Sequence, residues 1–144
     1  MLVQQILSSK PEQGVATVKP GTTVRDAVAV LASKRIGAVI VSSDGKRIAG
    51  ILSERDVVRE LGRQGAACLD LPVERMMTAN IIGCTRGETA DQVLERMTEG
   101  RFRHMPVMEA GQMVGLISIG DVVKARLMEL GMEKDALEGM IKGF

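Results

Sequence analysis

The chain has no tryptophan and no tyrosine, and Phe102 and Phe144 are its only aromatic residues. This excludes a surface on which single-stranded nucleic acid stacks, because such platforms are built from aromatic faces. Any bound base has to lie between aliphatic side chains. An excess of one charge is missing too: 19 Lys and Arg nearly cancel 18 Asp and Glu. Basic residues never run for more than two positions, so no positive field points to nucleic acid. Cys68 and Cys84 are too few for a disulfide scaffold or a tetrahedral zinc site, and reduced structural thiols are expected, with no metal. No stretch approaches the roughly 20 apolar residues that span a bilayer. The opening MLVQQILSSKP lacks a basic n-region and interrupts its apolar residues with Gln4, Gln5 and Ser8, unlike a secretory signal. These absences predict a cytoplasmic protein with no membrane contact.

What is present is a repeat. The 144 residues suit one compact domain or two small units sharing a core, and the chain can be laid on itself. Val18–Val24 falls on Cys84–Ala90, and Ile36–Val41 on Phe102–Val107, both at an offset of 66. Beyond the next turn the offset is 65, with Gly50–Val58 on Gly115–Val123. The missing residue is absorbed where Asp44-Gly45-Lys46-Arg47 faces Ala110-Gly111-Gln112, a turn, where length varies most freely. Val3–Ser8 matches Val73–Thr78 ahead of each first strand. The implied organisation is repeat one over 1–64, a connection over 65–72, repeat two over 73–130 and a helical tail over 131–144. The glycines and terminal proline of Gly62–Pro72 suit a plain connection better than a packed element.

Within each repeat the hydrophobic period switches between 2 and 3.6. A short strand, Val15–Val18 or Ile81–Cys84, precedes a helix whose apolar positions are Val24, Ala27, Val28 and Leu31, or Ala90, Val93, Leu94 and Met97. That spacing makes one buried helix face, and Thr23 with Asp26, or Thr89 with Gln92, resembles a capping box at its start. Ala38–Val41 and Ile48–Leu52 flank the Asp44-Gly45 turn as a hairpin, and a second helix is expected from Asp56. The unit reads β-α-β-β-α. The fold class is α+β, with two tandem repeats expected to pack about a pseudo-twofold axis and to share a cleft.

At the second helix the order Gly, hydrophobic, any, Ser, two any, Asp occurs twice, as Gly50, Ser53, Asp56 and as Gly115, Ser118, Asp121. With the hairpin before each copy, and the basic, proline-containing Arg101-Phe102-Arg103-His104-Met105-Pro106-Val107, the chain from about Val3 to Leu127 resembles the CBS-domain pair, or Bateman module. The resemblance implies a freestanding regulatory module that binds an adenosine-containing ligand (AMP, ADP, ATP, NAD(H) or S-adenosylmethionine), with the Asp on the ribose hydroxyls. It also implies a homodimer, since such modules commonly stack into discs. It does not imply an activity.

The Ser-x-x-Asp pattern has a second explanation, because a helix start needs the same residues as a cap. The two roles are compatible: a carboxylate accepts both hydroxyls of a ribose diol, and free N–H groups at a helix start favour a nearby anion. Ser53, Asp56, Ser118 and Asp121 are therefore the ribose candidates. Phosphate would be held by Arg55, Arg101, Arg103 and His104, although a lone histidine on a strand is equally read as a solvated side chain. The base is expected against backbone and small or aliphatic groups at Gly37, Ala38, Ile82, Gly83, Met105, Pro106 and Gly115. The cations break the symmetry. Arg55 faces Gly120 in the overlay, while Gly37 and Ala38 face Arg103 and His104, so two clefts of unequal strength are expected, the better one using Arg103 and His104.

No catalytic residue is assigned. Cys84 takes the place of Val18 as a small hydrophobe, and neither a nucleophile–base–orienter set nor a glycine-rich phosphate loop occurs. Met76, Met77, Met97, Met105 and Met113 sit at apolar positions and are expected to fill core or cleft. The tail from Met128 to Phe144 is expected to break at Gly131 and to pack on a partner subunit or fray. The alternatives are a small nucleotide-processing enzyme using Asp56 or Asp121, and a structural dimer whose clefts have decayed. A regulatory module would also need a separate effector protein.

Overall fold

In the computed structural model, which describes residues 1–10 and 14–142, the elements run α1 (Val3–Ser9), β1 (Thr17–Val18), α2 (Val24–Lys34), β2 (Ala38–Val41), β3 (Gly50–Ser53), α3 (Glu54–Gln64), α4 (Ala90–Gly100), β4 (His104–Glu109), β5 (Gln112–Ser118) and α5 (Ile119–Ile141). The capped starts explain the helix positions. Thr23 Oγ1 accepts the Asp26 N–H, and Thr89 forms both bonds of a capping box with Gln92. Ser53 and Ser118 cap α3 and α5. Because Ser53 is itself the cap, α3 begins two residues ahead of the Asp56 start expected from pattern.

The chain divides into two compact units, and they do not follow the order of the repeats. The first-repeat unit holds Gly14–Ile82 with Glu109–Val114. The second-repeat unit holds the opening segment, Gly83–Met108 and the chain from Gly115 onward. The openers are thus exchanged. Val3 and Ile6 of α1 are buried with Val93, Met97 and Ile117, whereas Val73 and Met76 are buried with Val24, Leu31 and Leu52. The segment expected as a plain connection is packed as well: Ala66–Asp70 forms a 3-10 turn, Cys68 is buried, and Leu71 O accepts the N–H of Val24. Gly65 caps the end of α3 but does not keep the following residues off the core, and Gly62 lies within the helix.

The first-repeat unit carries a three-stranded sheet in the order β1-β2-β3, with β1 parallel and β3 antiparallel to β2. The other sheet among the described residues is the β4-β5 pair, and the expected strand Ile81–Cys84 shrinks to a single parallel bridge between Cys84 and Val107. Proline explains the loss. In the first repeat the ladder uses Ile40 N–H to Ala16 O at 3.0 Å and Ser42 N–H to Val18 O at 2.9 Å. The second of these recurs as Met108 N–H to Cys84 O at 2.8 Å. The first cannot recur, because Pro106 stands where Ile40 stands and has no N–H.

The tail also differs from expectation. α5 runs through Gly131 to Ile141 without a break, the cost of one exposed helical glycine, about 1 kcal/mol, being spread over a 23-residue helix. Gly143 and Phe144 lie outside the described residues. No described helix is long and apolar enough to cross a membrane.

Candidate functional site

Each Ser-x-x-Asp pair closes into the same small ring. Asp56 Oδ2 accepts the Ser53 N–H at 2.9 Å, and Ser53 Oγ accepts the Asp56 N–H at 3.2 Å. Asp121 Oδ2 accepts the Ser118 N–H at 2.8 Å, and Ser118 Oγ accepts the Asp121 N–H at 3.2 Å. These are reciprocal capping boxes, so the structural role is realised in both repeats, and each carboxylate is fixed in direction by its own helix start. The residue ahead of each second strand is drawn to the same place. Gly37 O accepts the Glu54 N–H at 2.9 Å, and Arg103 O accepts the Ile119 N–H at 2.8 Å.

The candidates therefore sort by unit. Arg103, His104, Ser118 and Asp121 belong to the second-repeat unit, together with Arg101, Gly83, Met105, Pro106 and Gly115; Gly37, Ala38, Ser53, Arg55, Asp56 and Ile82 belong to the first-repeat unit. Arg103 and Arg55 are exposed and His104 is half-buried. Arg101 is exposed at the C-cap of α4 in the left-handed region, φ 56°, as Arg35 is at the C-cap of α2, φ 53°.

The base candidates divide into reachable and committed groups. Ile82 is 45% exposed. Met105 and Ala38 are buried, and Ala38 pairs with Ser53 in the sheet. Pro106 O is taken by the Cys84 N–H at 2.9 Å, and Gly83 O by Arg96 Nη1 at 3.0 Å. Gly83 is closely packed: a Cβ there would meet Met108 Cγ and Pro106 O at 3.1 Å each. Gly115 is committed to packing: a Cβ would come 2.7 Å from Leu7 Cδ2. Its counterpart Gly50 lies against Met77 in the same way.

Two partners of the carboxylates go beyond the sequence expectation. Arg59 Nη2 lies 3.0 Å from Asp56 Oδ1, and Lys10 Nζ lies 3.0 Å from Asp121 Oδ2. Arg59 follows Asp56 by one helical turn, so spacing alone could have shown it. Lys10 reaches Asp121 only through the exchange of openers, which leaves no local signal.

The remaining groups are structural. Burial pushes the Cys84 thiol up to about 11, with the Glu88 carboxylate adding to the effect. It is a protonated thiol at neutral pH, directed at Pro106 O, and not a nucleophile. Arg96 grips Glu88 with both Nη atoms, at 2.7 and 3.2 Å. Among the described residues no cluster of His, Cys, Asp or Glu could hold a metal ion. A groove of about 510 Å³ in the first-repeat unit is lined by Val28, Leu31, Ile36, Val57 and Val58, with Arg35 and Glu54 at its polar positions.

The model of the CBS domain matches residues 3–63 and again 73–128. The chain belongs to the CBS-domain family. As a CBS-domain pair it is 35% identical over 125 residues to a mitochondrial CBS domain-containing protein of Arabidopsis thaliana, a match covering 84% of this chain. The chain spans 61% of that protein's length and 23% of another Arabidopsis relative's. The crystal structure of a CBS-domain containing protein from Agrobacterium tumefaciens superposes with a TM-score of 0.83 at 44% identity, covering 88% of this chain and 99% of that one. A CBS domain protein from Pyrobaculum aerophilum, complexed with AMP, shares the fold at a TM-score of 0.76 and 24% identity, covering 92% of this chain and 99% of that one.

Proposed function

We propose that this CBS pair is a non-catalytic regulatory module that binds an adenosine-containing nucleotide (AMP, ADP, ATP, NAD(H) or S-adenosylmethionine) at its Ser-x-x-Asp helix starts. One observation carries the reading: the same ring of Ser hydroxyl, Asp carboxylate and helix-start N–H is built twice, each beside the residue that opens the preceding hairpin. A carboxylate held in one direction is suited to a ribose diol, and the AMP bound by the Pyrobaculum relative is a ligand of that class.

Phosphate falls to Arg103 and His104 in the second-repeat unit, where both belong with Ser118 and Asp121, and Arg101 is an exposed cation of the same unit. Arg55 is the corresponding cation beside Asp56. The sites are unequal, and the Asp121 site is the stronger for anionic ligands. Ligand that favours one arrangement of the chain shifts its populations, and a separate effector protein reads the shift. A second copy would cover the apolar groove along α2 and α3 and the exposed Leu127, Met132, Leu137 and Met140 of α5, giving a homodimer. The protein acts in the cytoplasm.

The test is thermal unfolding with AMP, ADP, ATP, NAD, NADH and S-adenosylmethionine, followed by product analysis. Stabilisation without turnover is expected, since a ligand of the native state raises apparent stability by mass action. Asp121→Ala is expected to remove the tighter binding event and Asp56→Ala the weaker. Turnover of any nucleotide would make the protein an enzyme, and no shift with any of them would leave the helix starts as caps alone.

A further inference from the structure

Lys10 is the C-cap residue of α1, and among the described residues its ammonium has two partners. Nζ donates to Leu116 O at 2.8 Å and lies 3.0 Å from Asp121 Oδ2. The side chain is only 29% exposed. Tied to a strand carbonyl and a carboxylate, the ammonium has one of its three N–H groups left over among the described residues. The first-repeat unit fills the matching place without charge. There Ile51, the counterpart of Leu116, exchanges two backbone bonds with Thr78, at 2.8 and 2.9 Å. Its aspartate meets instead the arginine of its own helix, Arg59, 57% exposed and therefore screened by solvent.

We infer that Lys10 is a specificity determinant of the Asp121 site, selecting adenosine ligands with an anionic 5′ substituent over those with a cationic one. The inference rests on the nucleotide-binding reading above. The argument is one of local charge. A bare Asp121 carboxylate would attract a cationic group such as a sulfonium near the ribose. With Lys10 on Oδ2 that charge is neutralised, Oδ1 serves the ribose, and the third ammonium donor faces the 5′ substituent. Phosphate then gains a charge-assisted bond, and a sulfonium meets like charge. Both effects act on the charge of the 5′ substituent, so uncharged adenosine depends on Lys10 less than either charged ligand does.

The experiment is calorimetric titration of AMP, adenosine and S-adenosylmethionine into the full chain and into Lys10→Met, Lys10→Gln and Lys10→Arg, with Asp121→Ala locating the site. In wild type AMP binds more tightly than S-adenosylmethionine. Lys10→Met weakens AMP on the order of tenfold, the size of one charge-assisted hydrogen bond, tightens S-adenosylmethionine, and shifts adenosine less than either. Lys10→Arg keeps the wild-type preference. Lys10→Gln, which retains a donor for Leu116, behaves as Lys10→Met and serves if that variant does not fold. An AMP to S-adenosylmethionine ratio unchanged in the neutral variants overturns the inference and leaves nucleotide binding standing. Failure of wild type to bind any of the three overturns the nucleotide reading and the inference with it.

Discussion

The two repeats place the same Ser-x-x-Asp ring at the same helix start, and they differ in what surrounds it. In the first-repeat unit the ring ends a complete three-stranded ladder, and its carboxylate meets a solvent-exposed arginine of its own helix. In the second-repeat unit the first strand's pairing is cut to one bridge beside the β4-β5 pair, and the carboxylate meets a half-buried lysine from the exchanged opener. Both copies keep the part that local chemistry dictates, the cap. The long-range surroundings diverge, and in this CBS pair they are what make one copy of the motif unlike the other.

The cut ladder gives the strongest way to break the comparison. If Pro106 is the reason the second unit lacks its first strand, then proline at the equivalent place should damage the first unit. Ile40 is fully buried in the central strand β2 and donates to Ala16 O. Ile40→Pro removes core volume and strands a carbonyl, at a cost of about 3–5 kcal/mol. The converse, Pro106→Ala, is expected to stay within about 1 kcal/mol of neutral, because a regained hydrogen bond offsets the looser unfolded chain. Chemical denaturation of both variants checks this. A cost for Ile40→Pro no larger than that of Pro106→Ala would mean that proline does not set the difference.

Much of the fold is legible in the order of residues alone. The period of apolar residues places α2 and α4, and β2 coincides with the expected Ala38–Val41, because amphipathic faces and turns are local properties. The Ser-x-x-Asp rings follow for the same reason. Pro106 opposite Ile40 is also visible in the overlay, and the loss of a strand N–H could have been drawn from it. The exchange of openers is not. Val3–Ser8 and Val73–Thr78 look alike, so nothing in either says which unit it will pack against, and Lys10 acquires its partner only through that choice. Gly115 is hidden on the same account: it is an ordinary motif glycine until Leu7 is known to lie on it.

The exchanged openers give an intermediate test. Gly50 and Gly115 are equivalent, and each is pressed by a side chain of an opener, Met77 or Leu7. A Cβ at Gly50 would also come 3.1 Å from Thr78 O, a backbone atom held by two bonds to Ile51. At Gly115 the three nearest atoms all belong to the Leu7 side chain, which can rotate away. Gly50→Ala is therefore expected to cost about 1–3 kcal/mol, as overpacking does, and Gly115→Ala distinctly less. Equal destabilisation in urea would show that the openers press on both units with the same rigidity.

The smallest effect concerns a charge pair that only one unit has. Arg96 and Glu88 correspond to Val30 and Thr22, so the first unit has nothing to titrate there. Hydrogen bonding from Arg96 holds the Glu88 carboxyl below its ordinary value, with the Thr85 N–H contributing after it. A carboxylate whose folded pKa is depressed contributes stability that is fully present above its unfolded value, near 4.3, and is lost as pH falls through the lower folded value. Glu88 and Arg96 are 24% and 33% exposed, so the contribution is modest, about 1 kcal/mol. Glu88→Gln should cost that much at pH 7 and progressively less below pH 4 or so, where wild type is protonated as well. Thr22→Val, at the equivalent place, should show no such pH dependence. A Glu88→Gln penalty that persists unchanged at pH 3 would mean that the side chain acts through its shape and its bond to Thr85 rather than through its charge, and the two units would then differ in packing alone at this position.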